Sequence, residues 1–225
     1  MAQGPQHPLD APADAALPPL NSADAQVQAA LAELLGGKAV LSFLQVMVSS
    51  GALATVDNLQ RDQAAARMWP VQPTPKRFEV AGSGDAQTIA LDNASRYTPF
   101  VLFAESVDAQ RAAALYRKLY PLFQQAYEEL GYPGRYFNDR LVAAIDHLLQ
   151  APEPAAPPRV KLVEVKGDEP TDRPTLRYEF ADPKLETLSS GQKMLIRTGL
   201  VNERRLKAKL RELRGLVATG STAKK

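Results

Sequence analysis

At 225 residues the chain has room for one ordinary domain, or one domain with a small lobe, and 45% hydrophobic residues are enough for a core. A formal net charge of +2 argues against whole-molecule polyanion binding. The lack of cysteine excludes disulfides, thiol catalysis and cysteine-ligated metals, and the two histidines, His7 and His147, stand too far apart in sequence to suggest a metal site or a Ser-His triad.

In chain order, residues 1–20 are Pro/Ala-rich and polar, with neither the basic start nor the apolar centre of a signal peptide. They read as a disordered linker stub. Order is expected to begin at Asn21, Ser22 or Asp24, each able to cap a helix carrying Val27, Ala30, Leu31, Leu34 and Leu35 at helical spacing; Gly36 and Gly37 stop it. Further helices are expected at 38–46 and 48–60. No charge occurs from Ala39 to Val56, but Ser42, Gln45, Ser49, Ser50, Gly51 and Thr55 make this stretch too polar for a good membrane span.

Three prolines exclude a helix at 68–76. Phe78/Val80 and Ile89/Leu91 alternate around Gly82-Ser83-Gly84, which predicts a hairpin over 77–91. Asp92-Asn93 and Thr98-Pro99 read as helix starts. A long helix capped by Asp108 follows, with Leu115, Leu119, Leu122, Phe123, Ala126, Tyr127 and Leu130 in one stripe; Pro121 should kink or split it. A partner helix is expected over 136–149, and then a Pro/Ala linker at 151–158. The stretches 160–165 and 175–180 look like strands that join the 77–91 hairpin in one sheet, since a lone hairpin is marginal in water. Asp182-Pro183 opens a short helix, Ser189 and Gln192 form a capping box, and the last helix, over 200–217, turns Leu206, Leu210, Leu213 and Val217 inward. The organisation expected is a helical core at 21–150, C-terminal strands and helices at 159–217 packing on it, and a disordered tail at 218–225.

Two constellations carry possible chemistry. Asp57, Asn58, Arg61, Arg135, Asn138, Asp139 and Arg140 place carboxylates and amides beside arginines. Paired guanidinium forks would suit a carboxylate or phosphate, but the same residues also serve as helix caps and as an i,i+4 pair. Tyr116, Tyr120, Phe123, Tyr127, Tyr132, Tyr136 and Phe137 crowd one tenth of the chain. They form either an aromatic groove, with Tyr132 and Tyr136 at a binding surface, or the core and core edge of a helix pair. Adjacent Glu128 and Glu129 point about 100° apart on a helix, so they are no catalytic pair. No nucleophile–base–orienter set is visible, so no catalytic residue is assigned. The basic amphipathic last helix could meet a polyanion, or could present a solvated face helped by Glu203 and Lys207.

The stretches LYPLFQQAYEELGYPGRYFNDRLVAAIDHLL, RYEFADPKLETLSSGQKMLIRTG and ATVDNLQR resemble the bacterial family of unknown function 3014, over about residues 20–217. The resemblance implies no activity. It implies single-pass inner-membrane proteins in which an Ala/Pro-rich linker carries this domain on the periplasmic side. Residues 1–20 would then be the end of that linker, and the chain as given would be soluble. Two arginines are implied where Met47–Leu53 stand, and the change reads as a compensated frameshift.

The expected fold is therefore α+β and predominantly α-helical, a multi-helix domain with a small antiparallel sheet. The expected function is a non-enzymatic protein-interaction module of the bacterial envelope. An enzyme acting on an envelope component through Asp139 and a neighbouring arginine, and polyanion binding by the last helix, are the alternatives. No cofactor or metal is expected. The partner is a protein or envelope component rather than nucleic acid, with membrane contact only through an N-terminal anchor.

Overall fold

The computed structural model describes residues 4–9, 19–36, 51–62, 74, 76–164 and 176–218. A 3-10 turn at Leu20–Ser22 leads into α1 (Asp24–Leu34). The expected side-chain cap is not used: Ala23 is the N-cap, and the Ser22 hydroxyl donates to Pro19 O at 3.1 Å. The helix expected at 38–46 and residues 47–50 lie outside the described residues; α2 covers Gly51–Asn58.

Strands β1 (Val80–Ala81) and β2 (Thr88–Ile89) pair antiparallel around the 3-10 turn Gly84–Ala86. Gly82 lies at φ 82°, and a Cβ there would meet the Ala86 carbonyl oxygen at 3.0 Å, so the tight turn requires glycine. Leu91 was expected inward with Ile89 but is 78% exposed, because the strand ends at Ile89 and the chain turns before the next helix.

Helix α3 (Asn93–Ser106) opens at Asn93, so Pro99 lies inside it rather than at its first position. The opening is set by Asn93 itself. Its side chain is 1% exposed, accepts the Glu79 N–H at 3.0 Å and donates to Ala90 O at 3.2 Å, tying the hairpin to the helix. Helix α4 (Ala109–Glu129) is capped by Asp108, whose carboxylate accepts the Arg111 N–H at 2.7 Å. Pro121 does not split it: the helix continues through Glu129. Its buried face (Ala113, Leu119, Leu122, Ala126, Tyr127) packs on α1 and on α5 (Phe137–Leu149). That packing holds the helix across a residue that gives no N–H to the ladder.

Strands β3 (Val160–Glu164) and β4 (Leu176–Phe180) pair antiparallel, with Val160 opposite Phe180. The single expected sheet is two small ones, joined by an isolated bridge between Thr88 and Arg159. Ile89 N–H donates to Pro158 O and Val160 N–H to Gln87 O, so the hairpins hydrogen-bond at their corner, and the Phe78 and Tyr178 rings pack with centroids 5.4 Å apart. Beneath it, Ile89, Val160, Phe180 and Ile196 form a buried cluster. Phe180, 1% exposed, contributes about 1.5–3 kcal/mol by its burial.

Helices α6 (Pro183–Glu186), α7 (Ser190–Arg197) and α8 (Leu200–Val217) complete the chain. The capping box of α7 is half formed: Ser189 Oγ accepts the Gln192 N–H at 3.3 Å, but the Gln192 amide reaches out to His147 O. The start of α7 also closes the end of α2, since Ser190 and Gly191 N–H donate to Arg61 O and Leu59 O. This contact needs Gly191, because a Cβ would lie 2.8 Å from Leu59 O and 2.6 Å from Leu148 Cδ2.

Helix α8 packs against α3, α4, α5 and α7 and is the spine of the fold. Leu206, Leu210 and Leu213 are only half-buried, whereas Asn202, Glu203 and Lys207 are buried. Segment 151–158, read in the sequence as a linker, lies against this helix, with Ala151 5% exposed and Glu153 paired to Arg204 and Lys207. The fold is thus α+β and mainly helical. No described helix is long and apolar enough to cross a membrane.

Candidate functional site

The polar residues singled out in the sequence separate into two places. At the α2–α5 junction, the Asp57 carboxylate accepts from Arg61 at 2.5 Å, lies 2.7 Å from an Arg140 guanidinium nitrogen and accepts the Tyr132 hydroxyl at 3.3 Å. Arg140 also donates to Asp57 O and to Gln60 Oε1. Burial alone would raise the Asp57 pKa. The Arg61 hydrogen bond and the charges of Arg140 and Arg61 outweigh it and hold the carboxyl below its ordinary value. Asn58 contributes its carbonyl, which accepts the Ser190 hydroxyl at 2.9 Å. Asp57 and Arg140 are therefore each other's partners, and the cluster ties α2 to α5.

Asn138 and Asp139 form the second place, in the first turn of α5. They do not cap their own helix. The Phe137 N–H is taken by Gln124 Oε1 of α4 at 2.9 Å, and Gln124 Nε2 donates to Arg135 O at 2.7 Å. Gln124 thereby frees Asn138 and Asp139 for other partners. Asn138, 0% exposed, accepts the Tyr116 hydroxyl at 3.2 Å and donates to Val217 O at 3.0 Å and to His7 O at 2.8 Å. The Asp139 carboxylate accepts the N–H of Gln6 at 2.9 Å and of His7 at 2.8 Å. Part of the expected linker is thus docked on the domain. Arg135 is exposed and Tyr136 half-buried beside this clamp.

The aromatic crowd is largely structural. Tyr127 and Tyr132 stack at 4.6 Å, Tyr116 and Phe123 at 5.7 Å, and Phe137 lies 5.6 Å from Tyr127, with Tyr127 and Phe137 buried. Burial raises the pKa of the Tyr116, Tyr120 and Tyr127 hydroxyls, so each remains a neutral hydrogen-bonding group.

The third polar centre escaped the sequence reading. Lys207, 1% exposed, donates to Ala151 O and Glu153 Oε1 and lies 3.0 Å from Glu203 Oε1. Glu203, 0% exposed, has no hydrogen-bond partner at Oε2, and burial raises its pKa against the pull of Lys207. It lines a cavity of about 210 Å³ with Leu91, Pro154, Pro158, Ile196 and Val201. A signal existed: Glu203, Lys207, Leu210, Arg214 and Val217 share one helical stripe. Most of the rest of α8's basic character is also engaged: Arg204 pairs with Glu153, Arg205 with Glu105, Lys209 with Glu212 and Arg214 with Asp146, while Arg211 is exposed.

A serine–histidine contact is present, His147 Nε2 to Ser189 Oγ at 2.8 Å. Ser189 is 5% exposed and caps α7, whereas an acyl-transfer nucleophile must reach its substrate, so this contact joins α5 to α7. Among the described residues no group of three or more histidine, aspartate or glutamate side chains could hold a metal ion.

Fold and site together define a helical domain whose polar groups mostly bind one another, with one clamp that grips main chain. The chain belongs to the family described as Protein of unknown function (DUF3014), whose profile matches residues 48–214. No curated protein and no solved structure matches it.

Proposed function

We propose that this chain is a non-enzymatic protein-interaction module, and that its contact surface is the corner between α4 and α5 around Asn138 and Asp139. One observation carries this reading. Adjacent side chains of one helix turn hold two successive N–H groups and a carbonyl of a segment more than 130 positions away in the chain. Gripping the main chain of a segment, here bent at Gln6 and His7, gives a peptide-binding surface affinity without demanding one sequence. The exposed Arg135 and half-buried Tyr136 border the clamp and would supply the rim.

The setting, tethered on the periplasmic side of a bacterial inner membrane, rests on the family resemblance alone. An enzyme built on Asp139 is ranked lower, because both its oxygens accept main-chain N–H groups. Polyanion binding by α8 is ranked lower, because Arg204, Arg205, Lys207, Lys209 and Arg214 all have carboxylate partners within the chain.

The test is site-specific photo-crosslinking in cells, with a photoreactive side chain at position 135 of the membrane-anchored protein. Discrete adducts that disappear on Asp139→Ala support the reading. Adducts indifferent to Asp139→Ala, or none at all, overturn it.

A further inference from the structure

The clamp is already occupied by the chain's own residues, Gly4-Pro5-Gln6-His7-Pro8-Leu9. The grip is selective in its chemistry. Gln6 and His7 N–H converge on the two oxygens of Asp139, and His7 O is held by Asn138 Nδ2. Pro5 and Pro8 have no N–H, so the two donors read are those of the pair between the prolines. The backbone bends at Gln6 and His7, which lets two successive N–H groups face one carboxylate, and the flanking prolines lower the entropy lost on docking by restricting the free segment. The Gln6 side chain is exposed, so its identity matters little. His7 is half-buried, and its ring Nδ1 is buried with no hydrogen-bond partner, so this position suits an apolar side chain better than an imidazole. The segment lies outside the family-matched residues 48–214, whereas both clamp residues lie inside them. The receptor half of the contact thus belongs to the domain, and the ligand half is joined to it.

We infer that residues 4–9 are a cis-bound stand-in for a trans ligand: a peptide of the form proline, two residues with free N–H, proline, bent at the central pair, in which the second central residue is apolar. This rests on the reading of the α4–α5 corner as a contact surface and names its partner class. The segment covers the surface until a partner displaces it. A joined ligand acts at an effective concentration in the millimolar range, so a free peptide making the same contacts competes poorly. A physiological partner must therefore add contacts at the Arg135–Tyr136 rim, or arrive when the segment is drawn away.

The test uses the full chain and a variant with Gln6→Pro and His7→Pro, which removes both N–H donors and leaves Asn138 and Asp139 untouched. The probe is a fluorescent peptide of sequence GPQHPL, titrated by anisotropy. The variant should bind it at least about tenfold more tightly than the parent chain. A peptide with leucine for the histidine should bind more tightly still, and adding Asp139→Ala to the variant should abolish binding. In the parent chain, amide hydrogen exchange at Gln6 and His7 should be slowed, and Asp139→Ala should release it. Equal peptide affinity for parent and variant, or unprotected Gln6 and His7 amides, overturns the cis-bound segment while leaving the contact surface intact. No binding to either chain overturns the peptide class, and the Asp139-dependent crosslink then decides the contact surface separately. A circular dichroism melt of the proline variant confirms that it is folded, since the segment lies outside every helix of the domain.

Discussion

The inner face of α8 and the first turn of α5 are both polar and both buried, yet they do different work. On α8, Lys207 meets Ala151 O, Glu153 and Glu203, and every partner belongs to the packed framework. On α5, Asn138 and Asp139 take three of their five side-chain hydrogen bonds from residues 6 and 7, far from α5 in sequence. The first arrangement can change only by unfolding. The second can exchange one segment of main chain for another. Buried polarity therefore marks function here only where the partner can leave.

The largest effect should come from breaking the α8 side of that contrast. Lys207→Met leaves the Glu203 carboxylate buried without its counter-charge and should cost about 3–5 kcal/mol in urea unfolding. Glu203→Gln combined with Lys207→Met should recover more than half of that loss; simple additivity of the two changes would show that the pair is not coupled. Asn138→Ala touches both sides of the contrast, since it strips Val217 O and the Tyr116 hydroxyl of a partner along with His7 O. A loss of about 1–3 kcal/mol is expected, with faster exchange at His7.

The half-buried Asp57 and the buried Glu203 should also titrate in opposite senses. Asp57 has a lowered folded pKa, so its contribution is present above the unfolded carboxylate value of about 3.9 and is lost as pH falls through the folded value. Asp57→Asn should remove that acid-side decline at a cost of about 1 kcal/mol near neutrality. Glu203 has a raised folded pKa, so the folded chain holds its proton longer than the unfolded one. Stability should therefore fall as pH rises from about 4.3 through the folded value, and Glu203→Gln should flatten that slope. Unfolding midpoints across the acid-to-neutral range read both; parallel slopes for the two variants would contradict the assignment. The smallest stability effect belongs to Asp139→Ala, no more than about 1 kcal/mol, because it loses only favourable charge in a first turn and the docked segment. A large loss would place Asp139 in the framework rather than in an exchangeable clamp.

Much of the helical order was legible because its causes are local. Asp108 caps α4, Asp182 caps α6 and Ser189 caps α7 as their spacing predicts. Of the two outcomes expected at Pro121 the split does not occur, because the packing of α4 on α1 and α5 holds the helix together. Asp92-Asn93 starts α3 as read in the sequence, with Asn93 also bonding across to the hairpin, so Thr98-Pro99 is not a second start and Pro99 lies inside the helix. The candidate residues were legible as a composition but not as an arrangement. Asp57, Arg61, Tyr132 and Arg140 converge, whereas Asn138 and Asp139 point to another corner.

By itself, the amino-acid sequence determined the helical class, most caps and turns, and the list of polar residues worth watching, since each depends on side chains within a few positions of one another. Tertiary structure alone decided what those residues hold. Asn138 and Asp139 read as helix caps until Gln124, from another helix, fills the cap and leaves them free. Glu203 and Lys207 read as a solvated pair until segment 151–158 closes over their face of α8. In both cases the deciding partner lies on another helix or segment, 13 positions away for Gln124 and 56 for Ala151, beyond the reach of local spacing.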